Sequence, residues 1–158
     1  MEEVTTQLVN GQRAIRQRLA QIAVVVLALL VFAVPAVAST YNWSWTMNYR
    51  YVNGGSNGVY YTFSSGGTMT FEGDVWAYSK DAGANPSPNQ ITMHVYRQAF
   101  PSDVIACSAY RTPSSTLNVK RSFWKNCGTE PADTYYIVAY TAADDGWNTK
   151  GSGTLKMP

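Results

Sequence analysis

The stretch Tyr41-Asn42-Trp43-Ser44-Trp45-Thr46-Met47-Asn48-Tyr49-Arg50-Tyr51 alternates without a break. Tyr41, Trp43, Trp45, Met47, Tyr49 and Tyr51 share one side, and Asn42, Ser44, Thr46, Asn48 and Arg50 the other. A period of two sends successive side chains to opposite faces, so the run reads as a half-buried β-strand. Turned to solvent, its aromatic row would stack on sugar rings. The opposite face of Asn, Ser, Thr and Arg is the natural solvent side, which turns the aromatics inward.

The same pattern continues outward. Asn53 to Gly58 is a turn, because Gly and Asn accept positive φ. Residues 59–63 read as a short strand and 64–67 as a second turn. Residues 68–79 read as a longer strand, with Met69, Phe71, Gly73, Val75 and Ala77 on its apolar face and Thr70, Glu72, Asp74, Trp76 and Tyr78 on the other. Gly73 there marks a bulge or a close backbone approach. Residues 81–90, with Pro86 and Pro88, form a loop. Strands follow at 91–98, 104–111, 116–125, 134–141 and 153–157, separated by turn residues. The run 134–141 is apolar on both faces and reads as a central strand. About eight short strands with regular turns predict an all-β fold, an antiparallel β-sandwich.

The closing residues, Thr134-Tyr135-Tyr136-Ile137-Val138 and Gly151-Ser152-Gly153-Thr154-Leu155, resemble the end of bacterial pre-peptidase C-terminal β-sandwich domains. Asp133 stands where that pattern usually has Gly. The resemblance implies the same fold class and places no functional residue on this chain.

Upstream, residues 22–38 form an uncharged apolar run ending Pro35-Ala36-Val37-Ala38, preceded by Arg13, Arg16 and Arg18. A basic flank, an apolar run and a small-x-small ending describe a helical secretory signal peptide, with cleavage expected between Ala38 and Ser39. The alternative is an uncleaved N-terminal membrane anchor. On the signal reading, residues 39–158 are a single secreted, extracellular domain that meets the membrane only during export. That mature chain keeps nine basic and eight acidic residues, and no basic run. A nucleic-acid partner, which needs a basic face, is therefore not expected. All five Trp and all eleven Tyr lie after Ala38.

Cys107 and Cys127 are the only cysteines. An even count in an exported chain predicts one disulfide. It would join adjacent arms of a hairpin, or strands facing each other across the core. No cofactor or resident metal is expected, since His94 is the sole histidine and the cysteine spacing is not a metal pattern.

Four groupings carry possible chemistry. His94, on a strand beside Tyr96, is the only candidate base, and a lone strand histidine is ordinarily a surface or packing residue. Glu72 and Asp74 share one strand face, at a separation that suits the paired carboxylates of a glycosidase. Asp144-Asp145-Gly146 resembles part of a calcium loop, but Asp-Gly is equally what a tight turn needs. Trp76, Tyr78 and Trp124 fall on faces read as polar, and Trp147 falls in a loop, so these four are the expected ligand contacts. The expected function is a secreted non-enzymatic binding or structural module that contacts extracellular carbohydrate or a protein partner through exposed aromatics. The alternatives are a small secreted antagonist (toxin, bacteriocin or inhibitor) and a glycosidase using Glu72 and Asp74.

Overall fold

A computed structural model describes residues 38–158, and the expected signal segment lies outside the described residues. The strands are β1 (Ser39–Met47), β2 (Tyr51–Asn53), β3 (Tyr61–Thr62), β4 (Gly67–Lys80), β5 (Ile91–Arg97), β6 (Val104–Arg111), β7 (Arg121–Glu130), β8 (Thr134–Thr141) and β9 (Trp147–Met157). They form two antiparallel sheets, the first in the order β1-β9-β4-β7 and the second β2-β8-β5-β6, with β3 also on β8. Asn53 faces Val138 and Tyr61 faces Tyr135, so β2 and β3 lie in line on the same partner. They are one strand interrupted by residues 54–60. The loop closes on itself through Val59 N–H to Gly54 O and is tied to β8 by Gly54 N–H to Ile137 O.

With β2 and β3 joined, the pairs β1/β9, β2–β3/β8, β4/β7 and β5/β6 nest inside one another around the turn between β5 and β6. A long hairpin rolled in this way into two four-stranded layers is a jelly roll. The expected sandwich is therefore present, with a specific winding.

The core lies between the layers. Trp43, Met47, Met69, Phe71 and Val75 from the first sheet meet Met93, Val95, Tyr135, Ile137 and Ala139 from the second. The first aromatic row does turn inward, but only as far as Met47. The chain then crosses to the other sheet at residues 48–50, where Thr141 N–H donates to Arg50 O. Tyr49 and Tyr51, expected on the inward row, are consequently exposed.

Three other boundaries differ from the sequence reading. The strand expected at 59–63 shrinks to Tyr61–Thr62, because residues 54–60 bond within their own loop. The strand expected at 116–125 begins only at Arg121 and runs on through Cys127 to Glu130. Asn118 takes a left-handed φ of 61°, which breaks an extended strand, and leaves Leu117 and Val119 exposed. The last strand starts at Trp147 rather than Gly153 and becomes the central strand between β1 and β4.

Gly73 marks a close approach, and the bulges of β4 fall elsewhere, at Met69/Thr70 and Ala77/Ser79. A Cβ at Gly73 would lie 2.5 Å from Trp43 Cζ2, and one at Gly153 would lie 2.0 Å from Glu72 O and 2.7 Å from the same Trp43 atom. Gly151 makes room for Trp45 in the same way, at 2.5 Å. Small residues on β4 and β9 thus let two indoles of β1 settle against the sheet.

The disulfide forms between Cys107 on β6 and Cys127 on β7. Those strands end their respective sheets, so the bond staples the two layers along one edge. Of the two arrangements expected, strands facing each other is the one found.

Two stability outcomes follow from this packing. Gly153→Ala should cost more than about 3 kcal/mol, because the added methyl meets backbone rather than a yielding side chain; urea unfolding measures it. The double variant Cys107→Ser/Cys127→Ser should lose roughly 3 kcal/mol, the chain-entropy value for a loop of this length. Calorimetry should find its melting temperature lowered, with near-native circular dichroism at 20 °C.

Candidate functional site

Register decides what stands on the outer face of the second sheet. Tyr51 pairs with Tyr140, Tyr140 with Thr92, and Thr92 with Tyr110, which makes one row across four strands. Asn53, Val138, His94 and Ser108 form the next row, and Tyr136, Tyr96 and Ile105 the third. Five tyrosines from four strands therefore share one surface, and Tyr60 of the 54–60 loop packs edge-on against Tyr136. Tyr96 and Tyr136 stack with centroids 5.4 Å apart. Tyr51, Asn53, Tyr96, Tyr136, Val138 and Tyr140 line a shallow groove of about 420 Å³ with no charged side chain among them.

His94 sits at the centre of this face, only 9% exposed. One ring nitrogen, Nδ1, lies 2.8 Å from Ser108 Oγ, and Nε2 lies 3.1 Å from Tyr140 Oη. Burial pushes its pKa below the ordinary 6.5, and a hydrogen bond with the Cys107 backbone opposes this in part. At neutral pH the imidazole is uncharged, so the groove presents hydroxyl, amide and imidazole groups without a net charge. At its edge Tyr136 donates to Asp103 Oδ2 at 2.7 Å, and burial followed by that bond raises the Tyr136 pKa. Its hydroxyl stays protonated as a donor.

The four aromatics expected as ligand contacts are not gathered in one place. Trp76 and Tyr78 lie half-buried on the outer face of the first sheet. Lys120 Nζ stands 5.0 Å over the Trp76 ring, and Lys150 Nζ 4.6 Å over the Tyr78 ring. Tyr78 also donates to Asn48 Oδ1 at 2.5 Å. Each ring thus has a cation over one face. Trp124 is 63% exposed on the edge strand β7, opposite Glu72. Trp147, expected in a loop, opens β9 and is only 3% exposed. Its indole N–H donates to Asn85 O, because the 81–90 loop folds over it. It packs rather than reaches for a ligand.

Glu72 and Asp74 do stand together on an open depression of the first sheet. Glu72 is ion-paired with Lys156 and accepts from Thr154 Oγ1, and these partners hold its carboxyl below the ordinary value. Asp74 accepts from Ser122 Oγ at 2.6 Å. A glycosidase acid must carry a proton near neutrality, which calls for a raised pKa. Glu72 is shifted the opposite way.

At the other expected site, Asp145 is buried and accepts from Trp147 N–H at 2.9 Å and Asn89 N–H at 2.5 Å. Asp144 accepts from Gly146 N–H at 3.0 Å. Asp145 thus clips the 81–90 loop to the turn before β9, and both of its oxygens already have backbone partners. Among the described residues no cluster of three His, Cys, Asp or Glu has metal-holding geometry.

The tyrosine surface was missed from sequence because residues 134–141 read as apolar on both faces. One face is core, while the other, Tyr136, Val138 and Tyr140, is covered by neighbouring rings. The signal was the matching step of two in Thr92, His94 and Tyr96.

No protein-family model matches the chain, and no curated protein matches it. Among solved structures it is similar to the disulfide-linked pili of Bacillus endospore appendages, at 13% identity over 77% of this chain and 86% of that one, with a TM-score of 0.37. The Yersinia pseudotuberculosis-derived mitogen matches at 9% identity over 77% and 86%, with a TM-score of 0.32. The infectious bursal disease virus structure (Gx strain) matches at 10% identity over 77% of this chain and 32% of that one, with a TM-score of 0.40. At these values the likeness carries nothing about ligand, activity or assembly.

The downward shift of His94 has a sign that can be read. A base whose pKa is lower in the folded state stabilises the fold fully above the unfolded value, near 6.5, and loses that contribution as pH falls towards the folded value. The stability advantage of the wild type over His94→Gln should therefore shrink as pH drops below about 6.5 and stay level above it. Chemical denaturation of both proteins across that range measures it.

Proposed function

We propose that residues 39–158 form a non-enzymatic extracellular binding domain, and that the tyrosine-lined outer face of the second sheet takes a carbohydrate chain. The observation that carries this reading is the uncharged groove between Tyr51, Asn53, Tyr96, Tyr136, Val138 and Tyr140. Sugar rings present apolar C–H faces and many hydroxyls, and such a ligand is matched by aromatic carbon interleaved with neutral donors and acceptors. Rows of side chains on neighbouring strands repeat every 4.8 Å or so, which gives an extended chain several contacts on a rigid platform. The disulfide fits an extracellular setting.

The non-enzymatic part rests on the partnering of Glu72 by Lys156 and on the neutral, buried His94. The expected role of exposed aromatics is kept, but it moves from Trp76, Tyr78, Trp124 and Trp147 to the tyrosines of the other sheet.

Titration of the purified domain with soluble β-glucan, xylan and mannan, followed by intrinsic fluorescence and calorimetry, tests the assignment. At least one polymer should bind, and Tyr51→Ala or Tyr140→Ala should weaken it about tenfold, the loss of one good aromatic contact. Trp124→Ala, on the opposite sheet, should leave affinity unchanged. Binding that is insensitive to both tyrosine variants, or that is lost with Trp124→Ala, sinks the assignment.

A further inference from the structure

Arg111 closes β6 and Arg121 opens β7, the same two edge strands that the disulfide ties together. With Gln90, Tyr110, Thr112 and Pro113 they line a depression of about 390 Å³ at one end of that edge. Among the described residues no carboxylate lines it. The acidic partners found in ion pairs among the described residues go to Arg97, Lys120 and Lys156 instead. Arg111 Nε is buried without a hydrogen-bond partner among the described residues.

An unmet donor on a charged group is costly, and two guanidiniums lining one small depression repel. A bound oxyanion would relieve that repulsion by accepting from the guanidinium N–H groups that line the depression, while the buried Nε stays beneath them. The guanidinium fork matches the paired oxygens of a carboxylate or sulfate, and Gln90, Thr112 and Tyr110 add neutral hydrogen-bonding groups around it. Tyr110, which ends the row Tyr51-Tyr140-Thr92-Tyr110, also lines this depression. We propose that Arg111 and Arg121 form an oxyanion site that takes a carboxylate or sulfate ester carried by an acidic polysaccharide. The oxyanion site stands on the arginines alone, while its polysaccharide carrier rests on the carbohydrate reading of the tyrosine face.

The test compares polygalacturonate, dextran sulfate and neutral dextran at fixed ionic strength, with sodium sulfate and sodium galacturonate as free oxyanions. The Nε–H resonance of Arg111, followed by NMR, should shift saturably with the free oxyanions and not with chloride. At least one acidic polymer should bind about tenfold tighter than dextran, the worth of one charge-assisted contact. Arg121→Gln should abolish that preference; Arg121 is exposed, so the variant tests the site even if Arg111→Gln fails to fold. An Arg111 signal indifferent to sulfate and galacturonate, or a preference unchanged in Arg121→Gln, overturns the site. The two readings fail separately. Loss of the tyrosine contribution in Tyr51→Ala alone leaves the oxyanion response intact, whereas an absent oxyanion response leaves neutral-polymer binding where it was. Preference for dextran sulfate over polygalacturonate assigns a sulfate ester, and the reverse a carboxylate.

Discussion

Trp43 rests its six-membered ring where the missing side chains of Gly73 and Gly153 would be, and the first sheet is organised around that contact. Those glycines sit opposite each other on β4 and β9, and Trp43 sits opposite Gly153 on β1. Three strands are thereby locked in one register, since a slip of one residue would drive a side chain into the indole. Trp43 then packs against Phe71 and Phe123. An aromatic buried in this way is worth about 3–5 kcal/mol against truncation to Ala. With the register set, Glu72 and Asp74 of β4 and Lys150, Ser152, Thr154 and Lys156 of β9 share the outer face.

The two outer faces that result differ in kind. On the first sheet, lysines stand over Trp76 and Tyr78, and Lys156 neutralises Glu72. The rings of Trp76 and Tyr78 are covered there by cations, while Trp124 on the edge strand stays exposed. On the second sheet, tyrosines from four strands meet around a neutral His94, and the groove between them holds no charge. Unequal partnering of otherwise similar aromatic surfaces is what separates a structural face from a candidate binding face. At the edge where the sheets are stapled, Arg111 and Arg121 have no acidic partner among the described residues, whereas Lys120 and Lys156 do.

Alternation was enough to recognise most strands, because a half-buried strand must repeat every two residues. Met69, Phe71, Val75 and Ala77 faced the core as their spacing required. The reading failed where the chain changed sheets without losing its alternation, at residues 48–50. It also failed where Asn118 turned the backbone while the apolar spacing of Leu117 and Val119 continued. Polar composition hid the first half of β9, whose Lys150 and Ser152 point away from the core while Gly151 serves an indole. Trp147 looked like a loop residue for the same reason.

Composition and local pattern determined the strand-rich class, the disulfide and the inward turn of the first aromatic row. Each depends on neighbours along the chain or on the even count of cysteines. Only the tertiary structure decided which tyrosines meet, that Trp147 is buried, that Glu72 is paired and that Arg111 and Arg121 line one depression. Those depend on register between strands far apart in sequence. Local propensity cannot carry that information, because any strand could pair with several others until the glycine–indole contacts and the rolled winding exclude the rest.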